Sequence, residues 1–356
     1  MNPDFQLLAE QGAHFWGSDQ VFTEDAWKSN FNLAMDAQPA LTTLANSGIP
    51  QWLTTFIDPT IINVLFSPLK AAKIFGEVKK GDWLMQTALF PIVEYTGEVS
   101  SYGDFSENGR TGLNTDFPNR QSYLYQIIKE YGELEMERAG LAKIAWAAEL
   151  DKASINILNR FQNNSYFFGI QGLQLYGGLN DPNLTASLAP ATKAAGGTTW
   201  FVNGSPNATA NEVYNDILAI YEQLVVQAGG VVELDMEQTM VLAMSPAVQV
   251  ALDFTNTYGI TTRDMLRKAF PNMRMETAVQ YGVQTASNTP GIVAGNLVQL
   301  IAENAGGQDT AFCAFNEKLR THKIVIAMSS YKQKATQGTW GTVIRQPYAI
   351  ASMLGV

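Results

Sequence analysis

Residues 83–168 constrain the fold more than any other stretch of the chain. They read as a long β-excursion that runs out, turns through a polar tip and returns directly into one long amphipathic helix. The outgoing limb contains Val93-Glu94-Tyr95-Thr96-Gly97-Glu98-Val99-Ser100. Apolar or small residues alternate there with polar ones, the period of a half-exposed strand. The returning limb, Ser122-Tyr123-Leu124-Tyr125-Gln126-Ile127-Ile128-Lys129, is aromatic and β-branched, as strands prefer. Between them, residues 101–119 are rich in Gly, Asp, Asn, Ser and Thr, with Phe105 and Phe117 set among them. A loop that long inside a compact domain is uncommon unless it is functional or disordered, and two strands alone are marginal in water. The excursion is therefore expected to rest on another surface.

The helix that follows is predicted over residues 138–163. Leu141, Ile144, Ala148, Ile155, Leu158 and Phe161 or Gln162 follow the three-and-four spacing of one face. Glu149, Lys152, Asn156, Asn159 and Asn163 mark the opposite face, with Glu149 and Lys152 spaced to pair. At 1.5 Å per residue such a helix is about 40 Å long, enough for a spine. Asn163-Asn164-Ser165 is its predicted end. Just before it, Gly132-Glu133-Leu134-Glu135-Met136-Glu137 alternates carboxylates with apolar residues, which at period two puts the glutamates on one strand face. Nothing nearby supplies a nucleophile or a metal partner, so a solvated or ion-paired face is the reading. Beyond the helix, Leu175-Tyr176-Gly177-Gly178-Leu179-Asn180-Asp181-Pro182 is a strand-and-turn signal.

The remaining chain divides into three parts. Residues 1–51 look like an arm, in which Phe5, Phe15, Trp16, Phe22, Trp27 and Phe31 lack local partners enough for a core of their own. They are expected to bury against the body of the chain or another subunit. The Gly-, Ala- and Thr-rich residues 185–206 are the best candidate boundary. After them, Thr209-Ala210-Asn211-Glu212 is a capping box, and its helix carries Val213, Ile217, Ile220, Tyr221 and Leu224 before stopping at Gly229-Gly230. A buried strand over 239–244, a helix capped by Ser245-Pro246 and a further helix over 262–270 complete an alternating α/β unit. Strands are predicted over 297–301, 323–328 and 348–354.

No set of residues predicts catalysis, a cofactor or a metal. His14 and His322 are far apart, and neither forms a ligand-spaced cluster with Cys313, the single cysteine. Cys313, between Phe312 and Ala314, reads as a small buried hydrophobe, and His322, beside Arg320 and Lys323, as a solvated strand end. Gly109-Arg110-Thr111-Gly112 lacks the flanking strand and helix of a phosphate loop, and no nucleophile elbow is present. The net charge of −10 argues against a protein that binds by gripping phosphates. With 46% hydrophobic and only 16% charged residues, the surface suits a subunit that covers much of its exterior with neighbours. Residues 1–6 lack the pattern of a signal peptide, and no apolar run reaches membrane-spanning length. The expectation is a soluble intracellular protein.

In the order of its elements (arm, β-excursion, long helix, Gly178-Leu179-Asn180 turn, α/β unit, strand-rich return) the chain resembles the major capsid proteins of tailed bacteriophages. Their fold is shared with encapsulins and the floor of the herpesvirus shell. The resemblance implies an α+β fold with an N-terminal arm (1–57), an extended β-hairpin loop (83–132), a peripheral domain (58–82, 133–195 and 286–345) built on a long spine helix, and an axial α/β domain (196–285 and 346–356). It implies a non-enzymatic subunit that self-assembles as hexamers and pentamers into the icosahedral head of a double-stranded DNA phage. Such a protein is found in the virion after assembly in the host cytoplasm. Implied partners are other copies of the chain, a separate scaffolding protein, a portal and, as a further candidate, a decoration protein. The DNA is enclosed without sequence-specific binding, and no membrane is involved. The implied interface residues are Tyr95, Tyr102, Phe105, Arg110, Phe117 and Arg120 on the loop, and Trp16, Phe22, Trp27 and Phe31 on the arm. No lysine stands near the tip of the loop, so no covalent cross-link is expected there. Two other readings stay open: an encapsulin-like compartment with protein cargo, and a soluble enzyme with a carboxylate acid/base site.

Overall fold

The structure is a computed structural model that describes residues 69–141, 144–230, 234–286 and 288–356. In chain order its strands are β1 (Glu77–Lys79), β2 (Thr87–Leu89), β3 (Ile92–Gly97), β4 (Thr111–Asp116), β5 (Asn119–Gln121) and β6 (Tyr123–Gly132). Then come β7 (Phe201–Val202), β8 (Ser205–Pro206), β9 (Met240–Met244), β10 (Met273–Thr277), β11 (Leu297–Ala302), β12 (Asn304–Ala305) and β13 (Gln308–Asp309). The last are β14 (Ala311–Thr321), β15 (Val325–Ala327), β16 (Ser330–Ile344) and β17 (Ile350–Leu354).

Two sheets organise these strands. In the first, β16 pairs antiparallel with β14, with β15 and with β6, and β1 joins β14 in parallel. The aromatic returning limb is thus a strand of the body, not half of a projecting hairpin as its sequence suggested. Its alternation decides this: Tyr123, Tyr125, Ile127 and Lys129 face a helix, while Leu124, Gln126, Ile128 and Glu130 face away.

That helix runs Trp146–Phe168, displaced toward the C-terminus from the predicted 138–163. Its expected first turns, and the strand expected at Gly132–Glu137, are occupied by a separate helix, Glu133–Leu141. Glu133 and Glu135 stand in the first turn of that helix, where carboxylates favour the positive end of the helix dipole. None of its residues is buried, so the glutamates are solvated, as expected.

The long helix also continues past Asn163-Asn164-Ser165, because the two asparagine side chains bond across the interior instead of competing for their own backbone, while Ser165 Oγ donates to the Gln162 carbonyl within the helix (2.8 Å). Asn163 Oδ1 accepts the Ala71 N–H (3.1 Å) and Asn164 Oδ1 accepts from Gln280 (3.3 Å). The buried stripe is therefore largely polar: Ser154, Leu158, Gln162, Ser165 and Tyr166. Tyr166 donates to Glu77 (3.1 Å) and accepts from Gln162 (2.8 Å), and burial holds its hydroxyl well above the usual phenol pKa. Of the predicted apolar face, Leu158 is buried, whereas Leu141 is 87% exposed and Ile155 lies at the margin. The predicted Glu149–Lys152 pair forms at 2.7 Å.

The second sheet has the order β10-β9-β11-β17, with β9 and β10 parallel and β11 antiparallel to both of its neighbours. Every residue of β9 and of β11 is buried because the sheet is covered on both faces. Met240, Leu242 and Met244 meet Val213, Ile217, Ile220 and Leu224 of the helix Ala210–Ala228. Val241 and Ala243 face Phe75, Phe167, Tyr281 and Cys313, so one core joins the two sheets. The capping box forms as predicted: Thr209 Oγ1 accepts from the Glu212 N–H, and Glu212 accepts from the Thr209 N–H. Strand β11, expected in the peripheral return, is central here, and β17 closes the sheet beside it.

Candidate subunit interface

The excursion is a stepped ribbon. At its foot β2 pairs with β5, Leu89 opposite Asn119. Farther out β3 pairs with β4, Ile92 opposite Asp116. Between the two steps stand Phe90-Pro91 and Phe117-Pro118. A proline has no N–H to give a ladder, so paired prolines interrupt it on both strands. The polar stretch predicted as loop over 101–119 thus contains a strand, and the true tip is residues 98–110.

The foot is fixed firmly. Phe90 packs edge-on against Phe312 of β14 (6.2 Å), and Asn316 donates to Ser122 Oγ at 2.9 Å. Arg120 donates to Asp181 at 2.7 Å and lies 4.7 Å from the centre of the Tyr176 ring. Arg120, expected at the subunit interface, is instead buried inside its own chain. Its partner is 61 residues away, and no spacing rule links the two.

Beyond the prolines the ribbon carries surface that the described residues leave uncovered. Tyr95, Leu113 and Val93 share one face through the Tyr95–Leu113 register, and all three are exposed. The other face carries Glu94, Asn114 and Asp116, with Asn114 donating to Glu94 (3.4 Å). At the tip Val99, Tyr102 and Phe105 are more than nine-tenths exposed. The predicted Tyr95, Tyr102, Phe105, Arg110 and Phe117 are all exposed on this ribbon. Val93, Val99 and Leu113 belong with them, and the period-two pattern could have found the first two. Trp16, Phe22, Trp27 and Phe31 lie outside the described residues.

The residues weighed for chemistry have structural surroundings. Cys313 is buried, and burial pushes its thiol well above the usual range. His322 bonds Thr336 Oγ1 (3.1 Å) and stands edge-on to Trp83. Gly109 and Arg110 close the hairpin tip, and a strand, not a helix, follows them. No group of His, Cys, Asp and Glu suited to a metal ion occurs among the described residues.

A family model described as the Pa193 gp26 major capsid protein matches residues 40–355. The chain belongs to that family. It is a structural capsid protein. Against curated proteins no match is found. Among solved structures, the capsid of Myoviridae phage XM1 is similar with a TM-score of 0.67 at 14% identity, over 86% of this chain and 99% of that one. A subunit of the native GTA particle capsid gives 0.55 at 11%, over 90% and 99%. Gordonia phage Cozz gives 0.52 at 11%, over 97% and 98%. At these identities the likeness is one of fold.

In this capsid protein the Gly177-Gly178-Leu179-Asn180 turn works as a stitch between the two sheets. Asn180 accepts the Gly177 N–H (2.8 Å) and donates to the Phe168 carbonyl at the end of the long helix (2.6 Å). A Cβ on Gly177 would strike the Phe167 carbonyl, and one on Gly178 would enter the Phe75 ring. Only glycine allows that approach.

Proposed function

We propose that this chain assembles with copies of itself into the icosahedral head shell of a tailed double-stranded DNA phage, as rings of six and five. The β3–β4 ribbon carries the reading. It is two strands wide and exposed on both faces among the described residues, and it holds Tyr95, Tyr102 and Phe105 almost fully in water. Two strands gain little stability alone, and an apolar surface of that kind marks an interaction site. A second copy of the chain is the partner that a shell supplies. Head-to-tail contacts that close give rings, and obligate interfaces bury about 2,000–5,000 Å².

In this reading residues 83–122 are the extended loop, and the five-stranded sheet with the long helix is the peripheral domain. The four-stranded sheet with the Ala210–Ala228 helix is the axial domain. The arm, residues 1–57, covers neighbours through Trp16, Phe22, Trp27 and Phe31. A separate scaffolding protein, a portal and a decoration protein complete the assembly in the host cytoplasm, and the DNA is held without sequence-specific contacts.

The test is to replace residues 92–116 by a short linker. Removing 101–119, the segment the sequence suggests, would also cut into β5 and disturb the foot. The shortened subunit is expected to fold but to yield no regular particles by negative-stain microscopy. Normal particles at wild-type yield would refute the role of the ribbon. Nucleic acid in particles purified from infected cells supports the phage-head reading, and protein cargo alone would favour a compartment.

A further inference from the structure

The sequence holds two Asn-Gly pairs, Asn108-Gly109 and Asn203-Gly204. An asparagine before a glycine can lose its side-chain amide without an enzyme. The backbone nitrogen of the glycine attacks the asparagine Cγ, and the missing Cβ leaves that approach open. The fold treats the two pairs differently.

Asn203 and Gly204 are the central residues of the β7–β8 hairpin, where Val202 is paired with Ser205. Their φ angles are 49° and 79°, the signs of a type I′ turn. In such a turn the Gly204 nitrogen lies trans to the Asn203 Cβ across the Cα–C bond, which holds the reacting atoms apart. The base of the hairpin is also fastened. Asn207 Nδ2 donates to the Gly196 and Thr199 carbonyls (2.8 and 3.0 Å), and its N–H donates to the Trp200 carbonyl (2.8 Å).

Asn108 and Gly109 lie in the ribbon tip, beyond the last ladder pair of Gly97 with Thr111. Asn108 is exposed and, unlike Asn203, has no positive φ. Among the described residues neither its side chain nor the Gly109 N–H has a hydrogen-bond partner. The bonds of the tip lie elsewhere: the Glu98 N–H to the Arg110 carbonyl (3.1 Å), the Ser106 N–H to the Gly103 carbonyl (2.9 Å) and the Tyr102 hydroxyl to Asp104 (2.8 Å).

We propose that Asn108 is a self-modification site, converted in the unassembled subunit to aspartate and isoaspartate through a cyclic imide, ahead of Asn203. The Gly109 nitrogen loses its proton to solvent as it bonds to Asn108 Cγ. The Cγ–Nδ2 bond breaks, and Nδ2 takes up a proton and leaves as ammonia. Water then opens the ring at either carbonyl. One opening gives aspartate, and the other gives isoaspartate, in which the main chain runs through the side-chain carbon. Either product puts a new carboxylate beside Glu107, on a tip that already carries Glu98 and Asp104 against Arg110 alone. The inference goes beyond the shell reading and does not depend on it.

The test keeps the full chain as unassembled subunits at neutral pH and follows the peptides around both pairs by mass spectrometry. A gain of one dalton is expected at Asn108 about tenfold faster than at Asn203, the ratio that follows if the turn must first give up about one net hydrogen bond. A mixture of aspartate and isoaspartate at this position is the signature of the ring. In urea, where the turn is gone, the two sites are expected to react at equal rates. Asn108→Gln is expected to keep its mass, because its longer side chain closes a less favourable ring. Conversion at Asn203 as fast as at Asn108 in the folded chain overturns the proposal. So does aspartate without isoaspartate at Asn108, or no gain there over a period in which the urea-unfolded chain converts.

Discussion

Replacing Arg120 by Met removes one half of the buried ion pair that fixes the foot of the ribbon. The side chains of Arg120 and Asp181 are 7% and 0% exposed, and they meet at 2.7 Å. Taking away one partner leaves a buried carboxylate without its counter-charge, which costs about 3–5 kcal/mol. Asp181 keeps one donor, the Asn183 N–H at 3.0 Å, which places the loss toward the lower end. For a chain of this size a loss of about 3 kcal/mol lowers the melting temperature by about 4 °C, measured by circular dichroism on unassembled subunits. The second step is the double variant Arg120→Met, Asp181→Asn. The uncharged amide still accepts from Asn183 and no longer needs a cation, so more than half of the loss is expected to return. A single variant that melts within about 1 °C of wild type would refute the reasoning. A double variant as unstable as the single would refute it equally.

Gly178→Ala is expected to destabilise the subunit by about 1–3 kcal/mol in urea unfolding, since its Cβ would enter the Phe75 ring. Thr209→Ala is expected to cost about 1 kcal/mol by removing the helix cap. The Thr209 N–H, with that of Ala194, holds the Glu212 carboxyl below its ordinary pKa of 4.5. The stability this contributes is present above about pH 4.5 and is lost as the pH falls through the lowered value. Glu212→Gln is therefore expected to be less stable than wild type near neutrality and to lose that deficit in acid. Cys313 is fully buried with a raised thiol pKa, so native subunits are expected to resist alkylation that proceeds to completion in urea. Rapid stoichiometric labelling of the native subunit would contradict this.

The second sheet and its helix were legible because local rules act there without competition. Thr209, Glu212 and Gly229 cap the helix as their types require, and Ser245 caps the next. The excursion was legible in its existence and not in its pairing. Tyr123 to Lys129 alternates as a strand does, but alternation does not say which strand is its neighbour, and β16 lies more than 200 residues away. The glutamates of 133–137 suit a strand face and a helix start alike, and the dipole of Glu133–Leu141 decided between them. Asn163 and Asn164 were read as helix breakers from their type, whereas their partners, Ala71 and Gln280, come from distant parts of the chain. Arg120 shows the same limit. A surface type in the sequence became a buried anchor through Asp181.

The central claim, that this subunit completes itself against copies of itself, is tested most directly by cryo-electron microscopy of particles formed by the full chain. The account predicts closed icosahedral shells in which the ribbon of each copy, residues 92–116, lies on a neighbouring subunit with Tyr95 and Phe105 covered. A stable monomer under assembly conditions, or a shell in which the ribbon stands free in solvent, would contradict it.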